Sequence, residues 1–164
     1  MQLDQPLMQR VYKMPDSEQE IILTKDVLET FETYSQKRME PEAGGLLFAE
    51  FKLPKIYIVK ASPPNSKDGR WRTLFIPNRI LQKRLIRNYF KQGWHLVGEW
   101  HTHPQNNPNP SSTDLHSMAD SFLKSRHELN YFIMAIAGNS GKNPQLWISI
   151  HDGKNVCRLN ELSK

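Results

Sequence analysis

One cysteine, Cys157, is all that 164 residues contain. An internal disulfide is therefore excluded, and so is a zinc site built on thiolates, which needs several. Any metal must be taken by His, Asp, Glu or water. Long apolar runs are missing as well: the longest, "YFIMAIAG", is far shorter than the ~20 residues that span a bilayer. The opening "MQLDQPLMQRVYKMPDSEQE" lacks the basic patch and the apolar stretch of a secretory signal. A cytoplasmic address without membrane contact is the resulting expectation. No internal repeat and no low-complexity tract is visible.

What is present is globular. Hydrophobic residues make up 38% and charged residues 24%, with four Trp and seven Phe, a profile unlike that of disorder. The length suits one domain with one core. A net charge of +5 permits an acidic partner or nucleic acid and demands neither. The basic residues gather on 77–93, where Arg79, Lys83, Arg84, Arg87 and Lys91 occur with no acidic residue. A solvated helix face accounts for them, and no recognition motif accompanies them, so nucleic acid is not the expected partner.

The first 18 residues, polar and holding Pro6 and Pro15, read as an arm with a short strand at "QRVYKM", and 19–164 as the domain. "EIILT" reads as a strand and "KDVLETFETYSQ" as a helix capped by Thr24, with Val27, Leu28 and Phe31 on one face. "EAGGLLFAEF" and "KIYIVKASP" suggest a hairpin around Pro54, and "WRTLFIP" a further strand. Pro77 to Gly93 turns helical, with Leu81, Leu85 and Tyr89 at every fourth position. "WHLVGEWHTH" is a strand, "PQNNPNPSS" a stiff loop, "TDLHSMADSFLKSRH" a helix opened by a Ser or Thr cap, and "YFIMAIAG" and "LWISIHDG" two last strands. Together they predict a mixed α/β or α+β domain, one central sheet with helices packed on it.

Chemistry concentrates in "GEWHTHP". Alternation along a strand sends His101 and His103 to one side, with Glu99 on that side and Thr102 and Trp100 on the other. Two parallel imidazoles make two legs of a divalent-metal site, and a catalytic zinc takes a third protein ligand while keeping a place for water. Eleven positions after His103 stands Asp114, where the proline-rich loop hands over to a helix. A carboxylate there would close a His, His, Asp triangle, for which zinc is the best fit. A general base is also required, and Glu99, Glu40 and Glu42 remain open by spacing alone. Trp100 reads as core. Trp71, between Arg70 and Arg72, is either core or a grip on substrate. The strand edge 48–50 and the loop 62–72 are candidate substrate walls. His127 and His151 read as surface residues, Cys157 as a small packing residue, and His95 and His116 receive no role.

"HTHPQNNPNPSSTD" resembles the JAMM signature of the JAB/MPN metalloproteases: His-Thr-His, seven residues, then Ser-x-x-Asp at Ser111 and Asp114. "EAGGLLF" is similar to that family's upstream Glu-x-x-Gly strand, which selects Glu42. The resemblance implies a mixed, largely antiparallel sheet between helices, an architecture related to the cytidine deaminases. It implies Zn2+ held by His101, His103 and Asp114. Glu42 would move a proton from the attacking water to the departing amine, and Ser111 would hydrogen-bond the oxyanion.

Longer stretches, among them "ASPPNSKDGRWRTLFIP" and "GWHLVGEWHTHPQNNPNPSSTDLHSM", resemble the bacterial JAB proteases of cyclic-oligonucleotide antiphage (CBASS) operons. That likeness implies an isopeptidase whose protein substrate carries an extended C-terminal tail, from a nucleotidyltransferase (CD-NTase) or a ubiquitin-like conjugate. A ubiquitin-activating and conjugating-like ligase of the same operon would be a partner. Processing of a sulfur-carrier or other ubiquitin-like protein, and a non-catalytic tail-binding scaffold, are the alternatives. Deaminase chemistry is set aside because H-x-E and P-C-x-x-C are absent.

Overall fold

A computed structural model describes residues 9–35, 40–65, 68–71, 74–76 and 78–162. The start of the expected arm, Arg72 and Pro77 lie outside the described residues, as do the side chains of 69–76, including those of Arg70 and Trp71. No helix of the described residues is long and apolar enough to cross a membrane.

Among the described residues ten strands and three helices follow in chain order: β1 (Arg10–Lys13), β2 (Glu20–Leu23), α1 (Lys25–Thr33), β3 (Gly44–Lys52), β4 (Lys55–Ala61), β5 (Gly69–Trp71), β6 (Leu74–Ile76), α2 (Arg79–Phe90), β7 (His95–Thr102), α3 (Ser112–Lys124), β8 (Phe132–Ala137), β9 (Leu146–His151) and β10 (Val156–Arg158). Eight strands form one sheet in the order β1-β2-β4-β3-β7-β8-β9-β10, while β5 and β6 pair separately. Only β2–β4 and β7–β8 are parallel; the other five pairings of the large sheet are antiparallel. The expected mixed, largely antiparallel sheet with packed helices is what forms.

Strand alternation sorts the core. Ile133, Ala135 and Ala137 of β8 join Trp100 and the α1 residues Val27, Leu28 and Phe31 on one face, while Phe132, Met134 and Ile136 pack with Met118 of α3 on the other. Trp100 is 1% exposed, its ring 5.3 Å from Phe31. Through the β7–β8 register, Glu99 lies beside Met134 and His101 beside Ile136, which places both on the α3 face.

Several elements differ from expectation. Thr24 precedes α1, but its side chain makes no cap hydrogen bond; its Oγ1 donates to the carbonyl of Ile58 at 2.9 Å and ties the helix to β4 instead. α2 begins two residues after Pro77 and is capped by Asn78, whose side chain accepts from Leu81 N–H. β3 runs between β4 and β7 and Phe48 and Ala49 pair on both sides, so of 48–50 Glu50 alone lies past the register with β7. β10 was not foreseen, nor was the closure beyond it: Leu159 N–H reaches back to Ile148 of β9, and Leu162 N–H to Val11 of β1. An isolated bridge between Tyr12 and Glu161 thus joins the segment after β10 to the edge strand β1. Cys157 on β10 is exposed rather than packed.

His151 is a second correction of burial, at 1% exposed. It ends a hydrogen-bonded row of alternate residues on β9: Trp147 Nε1–H donates to Ser149 Oγ at 2.9 Å, and Ser149 Oγ lies 2.8 Å from His151 Nε2. Ser149 Oγ, with one proton and two lone pairs, can accept from Trp147 and still pair with either neutral tautomer of His151. Burial pulls the imidazole down to about 4 from 6.5, slightly offset by Asp152. The unfolded chain thus binds the proton more readily across that interval. The neutral ring contributes stability that is fully present above pH ~6.5 and lost as pH falls to about 4, a change of about 3 kcal/mol. Urea unfolding of the wild type should weaken over this window more steeply than that of His151→Asn, and parallel curves would contradict it.

Candidate metal centre

Four segments from distant parts of the chain meet at the end of β7. Glu42 lies just before β3, and a reciprocal pair fixes it there: Ala43 N–H donates to Thr102 Oγ1 at 3.0 Å, and Thr102 N–H to Ala43 carbonyl at 2.9 Å. His103, one residue past β7, donates its backbone N–H to Ala137 at the end of β8. The loop 104–110 is pinned by Asn139 N–H on the carbonyl of Gln105. Gly138 permits this close passage, because a Cβ there would lie 2.6 Å from the carbonyl oxygen of Asn106. The loop then delivers α3, which opens with a capping box: Ser111 Oγ accepts from Asp114 N–H at 3.0 Å, and Asp114 Oδ2 accepts from Ser111 N–H at 2.8 Å.

Three donor atoms converge. His101 Nε2 and His103 Nε2 are 3.1 Å apart, and Asp114 Oδ2 is 3.3 Å from the first and 3.2 Å from the second. Ligands at 2.0–2.1 Å in tetrahedral zinc geometry are separated by roughly 3.3–3.4 Å. The triangle therefore has the size of one face of such a tetrahedron, and two neutral imidazoles and a carboxylate are a fitting donor set. Glu42 Oε1 lies 3.5 Å from His103 Nε2. Glu42, His101 and His103 also group within 4.8 Å of one another, but Asp114 sits closer to both rings and completes the tighter triangle.

The surroundings set the charges. Burial opposes the Asp114 carboxylate, yet hydrogen bonds from both imidazoles and from Ser111 N–H outweigh it and hold the group far below the ordinary carboxylate range. Burial likewise opposes charge on His103, but Asp114 and Glu42 prevail and raise it. Glu42 is 6% exposed; desolvation raises its carboxyl, against the pull of His101 and His103. A desolvated carboxylate beside a metal position is a stronger base than one in water.

The structure thus brings together all five residues named in the sequence, His101, His103, Asp114, Glu42 and Ser111. Glu40 is exposed and outside the cluster. Glu99 shares the face of His101, but its hydrogen bond is with Ser121 Oγ at 3.3 Å rather than with an imidazole. Sequence reasoning missed the support from Gly45. A Cβ there would stand 2.2 Å from the Ser62 carbonyl oxygen and 2.9 Å from Trp100 Nε1, which donates to that carbonyl at 2.9 Å. The glycine three residues after Glu42 leaves room for the indole that anchors β7.

Comparison with known proteins gives concordant results. The family model described as prokaryotic homologs of the JAB domain matches residues 24–149. A protein of Pseudomonas aeruginosa named CD-NTase/cGAS isopeptidase is 42% identical over 96 residues, 56% of this chain and 60% of that one. One of the same name from Vibrio cholerae is 32% identical over 101 residues, 59% of this chain and 65% of that one. The chain thus spans under two thirds of the length of these relatives. Among solved structures, a solution structure of a protein from Desulfitobacterium hafniense superposes with a TM-score of 0.62 at 20% identity, covering 83% of this chain and 87% of that one. It shares the fold.

Proposed function

The chain belongs to the family of prokaryotic JAB-domain homologs, and from that premise we propose a zinc-dependent isopeptidase or peptidase whose catalytic unit is 19–164 together with β1 of the expected arm, which pairs with β2 at the edge of its sheet. Its substrate is a protein joined through the extended C-terminal tail of a nucleotidyltransferase or ubiquitin-like modifier. Hydrolysis after that tail would reverse conjugation in a CBASS-type antiphage system, within the cytoplasm. The names carried by the relatives from Pseudomonas and Vibrio support this substrate class. The observation that carries the chemistry is the 3.1–3.3 Å donor triangle with Glu42 beside it.

Zinc held by His101, His103 and Asp114 would act as a Lewis acid and lower the pKa of water toward about 7. Glu42 receives the proton of the attacking water. As the carbonyl carbon becomes tetrahedral its oxygen gains negative charge, and the Ser111 hydroxyl donates to it. Ser111 Oγ accepts from Asp114 N–H, so its own proton stays available. The carbon–nitrogen bond then breaks as Glu42 passes its proton to the departing amine, leaving a tail carboxylate and a free amine.

The double duty of Ser111 is separable. Ser111→Ala should lose about 1 kcal/mol from the cap and on the order of 10²-fold in kcat. Ser111→Asp keeps a capping acceptor without a donor and should recover stability without recovering turnover. Thermal unfolding and initial rates on both variants check this.

The test of the function is incubation of zinc-loaded protein with fusions ending in candidate tails from neighbouring genes, the cut being located by mass spectrometry. A single cleavage directly after the tail, abolished by a chelator and restored by zinc, is expected. Tail binding without any cleavage would establish the scaffold instead.

A further inference from the structure

Between α2 and α3, against the sheet, lies a half-enclosed cavity of about 170 Å3. Its apolar walls are Leu46, Leu96, Ile86 and Phe132, and Glu99 lies among its polar lining. Glu99 is partly buried, its side chain on the cavity wall. Among the described residues its hydrogen-bond partner is Ser121 Oγ at a long 3.3 Å, and no ion pair to it within 4.0 Å is found. Arg79 reaches the same cavity, but its guanidinium contacts Gln82 Oε1 at 3.4 Å and acts on Glu99 only through space.

Desolvating a carboxylate is expensive unless it is paired, and one stretched hydroxyl contact pairs it poorly. A partly buried acid with an incomplete partner set, in a cavity with apolar walls, suits a long aliphatic stem ending in a cation. Position gives the cavity its relevance. Glu99 and His101 share a face of β7, two residues and therefore roughly 7 Å apart. An extended substrate whose scissile carbonyl sits at the metal centre has its near side chains within reach of that distance.

The geometry points to a specificity pocket in which Glu99 receives a lysine or arginine side chain of the substrate, within about three residues of the scissile bond. This rests on the hydrolytic reading above and adds a sequence requirement to it. The apolar walls hold the stem, Ser121 keeps one carboxylate oxygen in place, and the incoming cation takes the other. Arg79 and Lys83 also line the cavity, and Arg79, whose charge already acts on Glu99, is the nearer competitor that substrate entry displaces.

The test uses internally quenched peptides spanning the cleavage point, each carrying lysine, arginine, norleucine or glutamate at one of the three positions on either side. Wild type should prefer a basic residue over norleucine at one position by tenfold or more in kcat/KM. Glu99→Gln should bring that ratio close to one. Arg79→Met should lower KM for the basic peptide, because the competing cation is gone. Equal cleavage of basic and norleucine peptides by wild type, or a ratio unchanged in Glu99→Gln, overturns the pocket while leaving the hydrolase intact. A structural Glu99–Arg79 pair predicts instead that both variants lose thermal stability together with the preference unmoved, which also overturns it. Cleavage of no peptide, where whole fusions also resist, removes both readings.

Discussion

Glu42→Gln should retain one equivalent of zinc and lose turnover by a factor on the order of 10³. The substitution preserves shape and removes the base. Glu42 is held by the reciprocal pair of hydrogen bonds between Ala43 and Thr102, one of them to the Thr102 hydroxyl, so the amide stays where the carboxylate was. It sits 3.5 Å from His103 Nε2, outside the tighter triangle of His101, His103 and Asp114, and metal affinity should change little. KM should change little too, because the lost interaction belongs to proton transfer rather than to tail binding. Metal analysis and steady-state rates on one preparation check both halves. A variant that loses its metal would make Glu42 a ligand, and one that keeps full activity would move the base elsewhere.

Gly98→Ala should prevent folding, with a loss of at least about 4 kcal/mol. A Cβ on residue 98 would lie 1.8 Å from the Ile133 carbonyl oxygen and 2.9 Å from its nitrogen. Those atoms are main chain, in the strand that pairs with β7 in parallel, so no side-chain rotation relieves the clash. Relief requires β8 to withdraw, and β8 carries the Ala137 carbonyl that holds His103 N–H. Fold and metal site should therefore fail together. Gly141→Ala is the control: nothing lies within 4 Å of its Cβ, and φ of +82° limits the loss to roughly 1 kcal/mol. Circular dichroism and denaturant titration of the two variants separate the cases. Native-like stability for Gly98→Ala would mean that β7 and β8 lie farther apart.

The legible parts of the site were those written locally. His101 and His103 follow from strand alternation alone, and Asp114 follows from a stiff loop ending in a helix cap. Glu42 was not legible from spacing, because its place depends on Thr102 pairing with Ala43 across 59 positions; only the family resemblance selected it. Most strands and all three helices showed in their apolar periods. The closure of the sheet did not, since Leu162 meets Val11 through a contact between chain ends that no local pattern encodes. His151 was misread for a related reason. A polar residue ending a strand looks like surface until α3 is seen to cover that face, and the row Trp147, Ser149, His151 satisfies it there. Cys157 was misread in the opposite direction, because β10 buries none of its residues.

Crystals grown with zinc and measured on both sides of its absorption edge test the central claim most directly. One anomalous peak should appear within about 2.0–2.2 Å of His101 Nε2, His103 Nε2 and Asp114 Oδ2, with Glu42 near it but not bound. Absence of a peak there, or a peak ligated by Glu42 while Asp114 stands away, would contradict the assignment of ligands and base.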